Sequence, residues 1–179
     1  MAAAITPEDK PLKLRARDPQ DMDVIAALLQ DALVPLGDMT FMEKEQRFVL
    51  VANRFRWQGD PAEDPRPAAP EPLEEGEDAP FDDDGQPPYE RVNSGICFDK
   101  VQRVRYRGLK PGGKDEILSL LTITTEPRAI TLIFAGEAAV RLEVQAIHCH
   151  LEDVGRPWPT RWRPDHGPAG SSEGGGSGA

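Results

Sequence analysis

Apolar positions recur along this chain at two spacings, and the switches between them mark out the elements. Leu12, Leu14 and Ala16 alternate with Lys13 and Arg15, the period-2 signature of a short strand. From Pro19 the spacing changes. Met22, Ile25, Leu29 and Ala32 fall on one helical face with Ala26 and Leu33 beside them, while Asp21, Asp23, Gln30 and Asp31 occupy the rest. The start carries its own signals: Asp18 as N-cap, Pro19 at the first helical position, and Asp21 near the positive end of the dipole. The pattern predicts an N-terminal helix over about 19–33, ended by Pro35 and Gly37.

Period 2 returns after the helix. Residues 38–42 read as a strand and 43–46 (EKEQ) as a turn. Residues 47–57 (RFVLVANRFRW) are rich in β-branched and aromatic side chains. Their odd positions, Val49, Val51, Phe55 and Trp57, read as the core face, and Arg54 and Arg56 as the wet one. Further strands follow at 89–98 and 100–108, with a turn near Asp99-Lys100. Residues 116–126 are nearly continuously apolar and read as a strand buried on both sides for part of its length. Strands at 128–134 and 138–142 come next. In EVQAIHCHLEDV, residues 143–154, Val144, Ile147, His148, Leu151 and Val154 share a helical face, with Gly155 placed as a C-cap and Pro157 as a stop. This predicts a closing helix over about 143–154. Strands joined by short turns exclude βαβ units. The expected class is α+β: an antiparallel meander curling into a pleckstrin-homology-like barrel or sandwich, with a helix at each end.

Charge changes the picture only once it is located. The formal net charge is −10, and residues 60–84 alone hold 11 acids and one base, Arg66. The remainder carries 20 acids and 20 bases, so the folded part is neutral. Residues 58–88 contain eight prolines and almost nothing to bury. Such a composition cannot offset its ordering entropy, so a disordered acidic insertion is expected there. The predicted organisation is a flexible leader over 1–11, one folded domain over 12–163 interrupted by 58–88, and a flexible Gly/Ser-rich tail over 164–179. No apolar run approaches the length of a membrane span, and residues 1–18 lack a signal-peptide pattern. Two cysteines, Cys97 and Cys149, make no disulfide framework. The expected location is the cytoplasm.

Several groups invite a chemical reading. Arg103, Arg105 and Arg107 alternate along one strand, and Arg54 and Arg56 along another. Together they form a candidate anion patch able to grip carboxylate or phosphate. Single-stranded RNA would need stacking partners, but Phe55, Trp57 and Tyr106 have the opposite parity. The bland alternative is a solvated strand face. The acidic insertion could itself occupy the arginines as a tethered competitor, an effect that salt would weaken. His148-Cys149-His150 suggests zinc, yet on a helix residues two apart diverge by roughly 200°. Only a strand would aim both histidines at one metal, with Cys97 or His166 as further ligands. With a helix expected, no metal and no cofactor are assigned. Cys97 or Cys149 with His166 and Asp165 could be drawn as a catalytic triad, but no motif fixes their geometry. Trp162, between Arg161 and Arg163, is a candidate partner contact. The expectation is a non-enzymatic binding or adaptor module that recognises a protein or peptide. Anion or RNA binding through the arginines is the alternative, and an enzyme with a deep polar pocket is the second.

The segments LKLRARDPQDMDVIAALLQDAL, RFVLVANRFRW, RVNSGICFDKVQRVRYRGL, LSLLTI and EDVGRPWPTRWRPDH together resemble a bacterial family, domain-of-unknown-function family 2948. The resemblance spans about residues 10–166 outside the acidic insertion. It implies a single-domain bacterial cytoplasmic protein and brings no activity or site residues with it.

Overall fold

The computed structural model describes residues 11–56, 89–109 and 113–160. The leader apart from position 11, the acidic insertion, Trp57, Trp162 and the tail therefore lie outside the described residues. Within them the chain forms ten strands and one α-helix. β1 (Lys13–Ala16) leads into α1 (Pro19–Leu29), followed by β2 (Leu33–Pro35), β3 (Met39–Met42) and β4 (Arg47–Arg56). Then come β5 (Tyr89–Phe98), β6 (Val101–Arg107), β7 (Ile117–Glu126), β8 (Ala129–Phe134), β9 (Ala139–Val144) and β10 (Cys149–Thr160). Neighbours in the sheet run β1-β10-β5-β4-β2-β7-β8-β9-β6, with β3 added on β4. The path does not close, so β1 and β6 are its ends. β2 joins the two wings, pairing with β4 through Leu33–Asn53 and with β7 through Leu33–Ser119.

The helix begins where the sequence places it. The Asp18 carboxylate accepts the Asp21 amide at 2.8 Å, and the Asp21 carboxylate reaches back to the Arg17 amide at 3.0 Å. Such reciprocal capping satisfies donors that the first turn leaves open. Met22, Ile25 and Leu29 are buried as predicted. The helix ends four residues earlier than expected. Asp31 adopts φ of 60° and its amide bonds to the Leu120 carbonyl at 2.8 Å, which hands the chain to β2. Long-range pairing outcompetes one more helical turn.

One core lies between the wings and is closed by α1. It takes Phe48, Leu50 and Ala52 from β4, Ile96 and Phe98 from β5, Leu120 and Ile123 from β7, and Leu142 and Val144 from β9. The parity of β4 is thus the reverse of the sequence reading. Even positions point inward; Val51 is 39 % exposed. Phe55 is buried, but on the other side, under the Arg91 guanidinium 5.7 Å from its ring centroid. The strand expected to be buried on both sides, β7, is one-sided: Leu118, Leu120 and Ile123 are buried, whereas Ile117 and Leu121 are exposed.

The closing helix over 143–154 does not form. Glu143 and Val144 still belong to β9, and from Cys149 the chain is a strand. Cys149 and Leu151 point into the core, and His150 and Glu152 point away from it. The strand runs on through the residues read as a helix stop. A register shift between Val154 and Trp158 accommodates Gly155, at φ of 83°, and Pro157, as bulges do for residues that cannot sit in a regular ladder. The pleckstrin-homology analogy thereby loses the helix on which it rested.

Candidate functional site

Two surfaces bring chemistry-bearing side chains together, one on each wing. The first is the outer face of β6 and β9. Antiparallel partners point to the same side of a sheet, so the register Arg103–Glu143, Arg105–Arg141 and Arg107–Ala139 sets four arginines on one face. Arg103, Arg105, Arg107 and Arg141 are all exposed. Arg105 pairs with Glu143 at 2.7 Å, and Arg141 pairs with Glu126. Exposed pairs of this kind contribute about 0–1 kcal/mol each. Arg103 and Arg107 make no ion pair or hydrogen bond among the described residues. Arg141 was not singled out in the sequence, although its place between Val140 and Leu142 in an alternating strand marked it as outward.

The other two arginines of the expected patch lie elsewhere. Arg54 is 4 % exposed and its guanidinium grips the Asp153 carboxylate at 3.1 and 2.7 Å, with Ser94 Oγ 3.0 Å from its Nε. It faces inward because Asp153, 99 residues away on β10, meets it there. Arg56 is ion-paired with Glu90 at 2.9 Å and half-buried. β4 is separated from β6 by β2, β7, β8 and β9 in the sheet, so the structure does not join Arg54 and Arg56 to the β6 stripe.

The second surface is the outer face of β10, β5 and β4. His150 opposes Arg15 on β1 and Cys97 on β5, and Cys97 opposes Val49. Two residues along each strand, His148, Asp99 and Arg47 form the next row. His148 Nδ1 lies 3.0 Å from Asp99 Oδ2, and His150 Nε2 lies 3.5 Å from the same oxygen. Arg47 Nε donates to the other carboxylate oxygen, Oδ1, at 2.8 Å. The Cys97 thiol is 3.8 Å from Oδ1. The two imidazoles meet edge to face, with centroids 4.7 Å apart. The backbone fixes this row, since the Asp99 amide donates to the His148 carbonyl at 2.9 Å. Asp99 and Arg47 escaped the sequence reading because only a cross-strand register, not spacing, brings them to the histidines.

The electrostatics follow from that packing. Burial pushes the Asp99 carboxyl up, but hydrogen bonds from Arg47 and His148 more than offset it, and the group sits below its ordinary range. Partial burial, then the neighbouring His148, lowers His150, against the pull of Asp99. Burial raises the Cys97 thiol, aided by Asp99 and opposed by Arg47. Cys149, wholly inside the core, is raised far more, chiefly by burial. Cys149 points inward and Cys97 outward, so they do not face each other. With the thiolate as the reactive form, a thiol reagent at neutral pH should leave Cys149 unmodified in the folded protein and label Cys97 slowly. Both should react at once in denaturant. Rapid labelling of two thiols in the native protein would contradict this placement.

A groove of about 310 Å³ between α1 and β7 is lined by residues including Asp23, Ala27, Gln30 and Thr122. It lies away from both surfaces. Trp158 is half-buried opposite Arg91. Among the described residues no helix is long and apolar enough to cross a membrane.

A sheet with one exposed arginine face and one histidine–carboxylate row defines a β-rich domain with two separate polar surfaces. The chain belongs to the family described as protein of unknown function (DUF2948), whose model matches residues 12–166. No curated protein and no solved structure matches it.

Proposed function

We propose that this protein is a binding module that takes an extended acidic polypeptide segment along the outer face of β6. The observation that carries the reading is the state of Arg103 and Arg107. Both are exposed and without an ion-pair partner among the described residues, on a strand at the end of the sheet path. An end strand offers unpaired backbone groups to an incoming strand, and arginines at every second position match carboxylates on one side of it. Polypeptide is favoured over single-stranded RNA because the one aromatic of β6, Tyr106, has the opposite parity to the arginines. Stacking therefore has no platform on the arginine face of this strand. The chain carries an acidic run of its own at 60–84, which supports competition between that run and an outside partner.

The test uses protein lacking residues 60–84 and a fluorescent peptide of alternating Glu and Val, read by anisotropy. Saturable binding that weakens as salt rises is expected, and combined Arg103→Glu and Arg107→Glu substitution should weaken it by about tenfold or more. Arg56→Glu should weaken it far less. Absence of saturable peptide binding, or a stronger response to single-stranded RNA of equal charge, would remove this reading.

A further inference from the structure

We propose that Asp99, His148 and His150 form a binding site for a divalent transition-metal ion, independent of the arginine face. One Asp99 carboxylate oxygen and one ring nitrogen from each histidine lie within 4.8 Å of one another. For bonds of about 2.0–2.1 Å, two ligands of a tetrahedral ion stand about 3.3–3.4 Å apart. The two contacts to Oδ2, 3.0 and 3.5 Å, bracket that value. The ion would take the place of the direct contact now made between His148 Nδ1 and Asp99 Oδ2.

The strand that replaces the expected helix makes the site possible. It lets residues 148 and 150 approach one carboxylate from the same side. The site is also held in advance. Arg47 occupies Oδ1 and leaves Oδ2 for the ion, and hydrogen bonding to a ligand carboxylate is the usual way such a group is oriented. The His148–Asp99 backbone bond and the Cys149–Phe98 register keep ladder geometry beneath it. Two imidazoles and one carboxylate select zinc, cobalt, nickel or iron(II) over calcium and magnesium, which favour all-oxygen sites. Three protein ligands leave an open position; Cys97 opposes His150 across the strand pair, but its thiol lies 3.8 Å from Asp99 Oδ1, the oxygen held by Arg47, and it is not among the ligands. Arg15 and Arg47 oppose a dication, but Arg47 is 42 % exposed and solvent screens it. Micromolar rather than nanomolar affinity is therefore expected.

The test is titration of chelator-stripped, full-length protein with Co²⁺ followed by visible absorption, and with Zn²⁺ followed by calorimetry. One equivalent should bind, with the ligand-field bands of imidazole-bound cobalt. His150→Gln and Asp99→Asn should each weaken binding by at least about tenfold, a loss no smaller than outer-shell changes produce. The chain has three histidines, so His166→Ala serves as the control and should bind normally, as should protein lacking residues 60–84. Histidine side-chain nitrogen spectra of the unmodified protein with Zn²⁺ should shift at His148 and His150 and not at His166, which needs no variant to fold. No saturable binding, binding that survives His150→Gln, or loss on His166→Ala or on deletion of the acidic run would each overturn the site.

Discussion

Asp153→Ala is expected to destabilise the fold by about 3–5 kcal/mol, the usual cost of removing one member of a buried ion pair. The pair is enclosed, with side-chain exposures of 5 % for Arg54 and 8 % for Asp153. Asp153 accepts two bonds from Arg54, one from Ser94 Oγ at 2.6 Å and one from the Leu12 amide at 3.3 Å. Alanine would leave a guanidinium with no countercharge where water does not reach it. It would also loosen the hold of β10 on the chain entering β1. The pair itself need not add net stability, since desolvation offsets much of the attraction. Arg54→Met combined with Asp153→Leu should therefore recover most of the loss, in urea unfolding with an unchanged slope. For comparison, Glu143→Ala, which breaks the exposed pair with Arg105, should cost under about 1 kcal/mol. An Asp153→Ala protein within that same range would mean that the pair is hydrated, and the inward placement of Arg54 would have to be abandoned.

Arg54 also shows why part of the fold was illegible in the sequence. In 47–57 two of the three aromatics, Phe55 and Trp57, sit at odd positions with Val49 and Val51, while Arg54 and Arg56 sit at even ones, so local hydrophobicity favours the odd face as core. The even face is chosen by partners far along the chain: Phe98 and Ile96 from β5 beside Phe48 and Leu50, and Asp153 for the charge. Parity, once fixed by those contacts, applies to the whole strand. The closing helix failed for a related reason. Val144, Ile147, Leu151 and Val154 match a helical period, but Val144 is in β9, Leu151 is in β10, and Val154 is 56 % exposed. The shorter alternation Cys149 in, His150 out, Leu151 in was present in the same residues.

Features specified locally were readable. The helix start at Asp18-Pro19, the turns at 43–46 and near Asp99-Lys100, and the strands over 47–56, 89–98 and 101–107 lie where short-range signals put them; the left-handed conformation of Gln46 and Lys100 is a structural detail of those turns. The outward arginines of β6 were readable too, because alternation alone decides them. The metal candidate was readable only as a condition. Two histidines two residues apart can share an ion on a strand and not on a helix, so one wrong element removed the site. Asp99 has no signature of its own; it becomes a ligand through the pairing of β5 with β10.

Phe98→Ala should cost about 3–5 kcal/mol as well, by opening a cavity in a row that cannot collapse. Phe98 sits between Phe48 on β4 and Cys149 on β10, and Ala16 on β1 extends the row; all four are fully buried. The Phe48 and Phe98 rings pack at 6.4 Å between centroids. Backbone ladders on both sides hold the walls apart, so the void persists. Phe98→Leu should cost less, since much of the volume stays. Tyr106→Ala, at a ring 53 % exposed, should stay within about 1 kcal/mol. Equal losses at Phe98 and Tyr106 in urea unfolding would contradict this placement of the core. The cavity has a second, local consequence. Asp99 follows Phe98 directly, and its amide bond to the His148 carbonyl closes the end of the β5–β10 ladder. Loosening Phe98 should raise the exchange rate of the Asp99 amide more than that of the distant Arg105 amide on β6. Hydrogen exchange would thus report whether the core fixes the distance between the carboxylate and the histidines, which is the property the metal site requires.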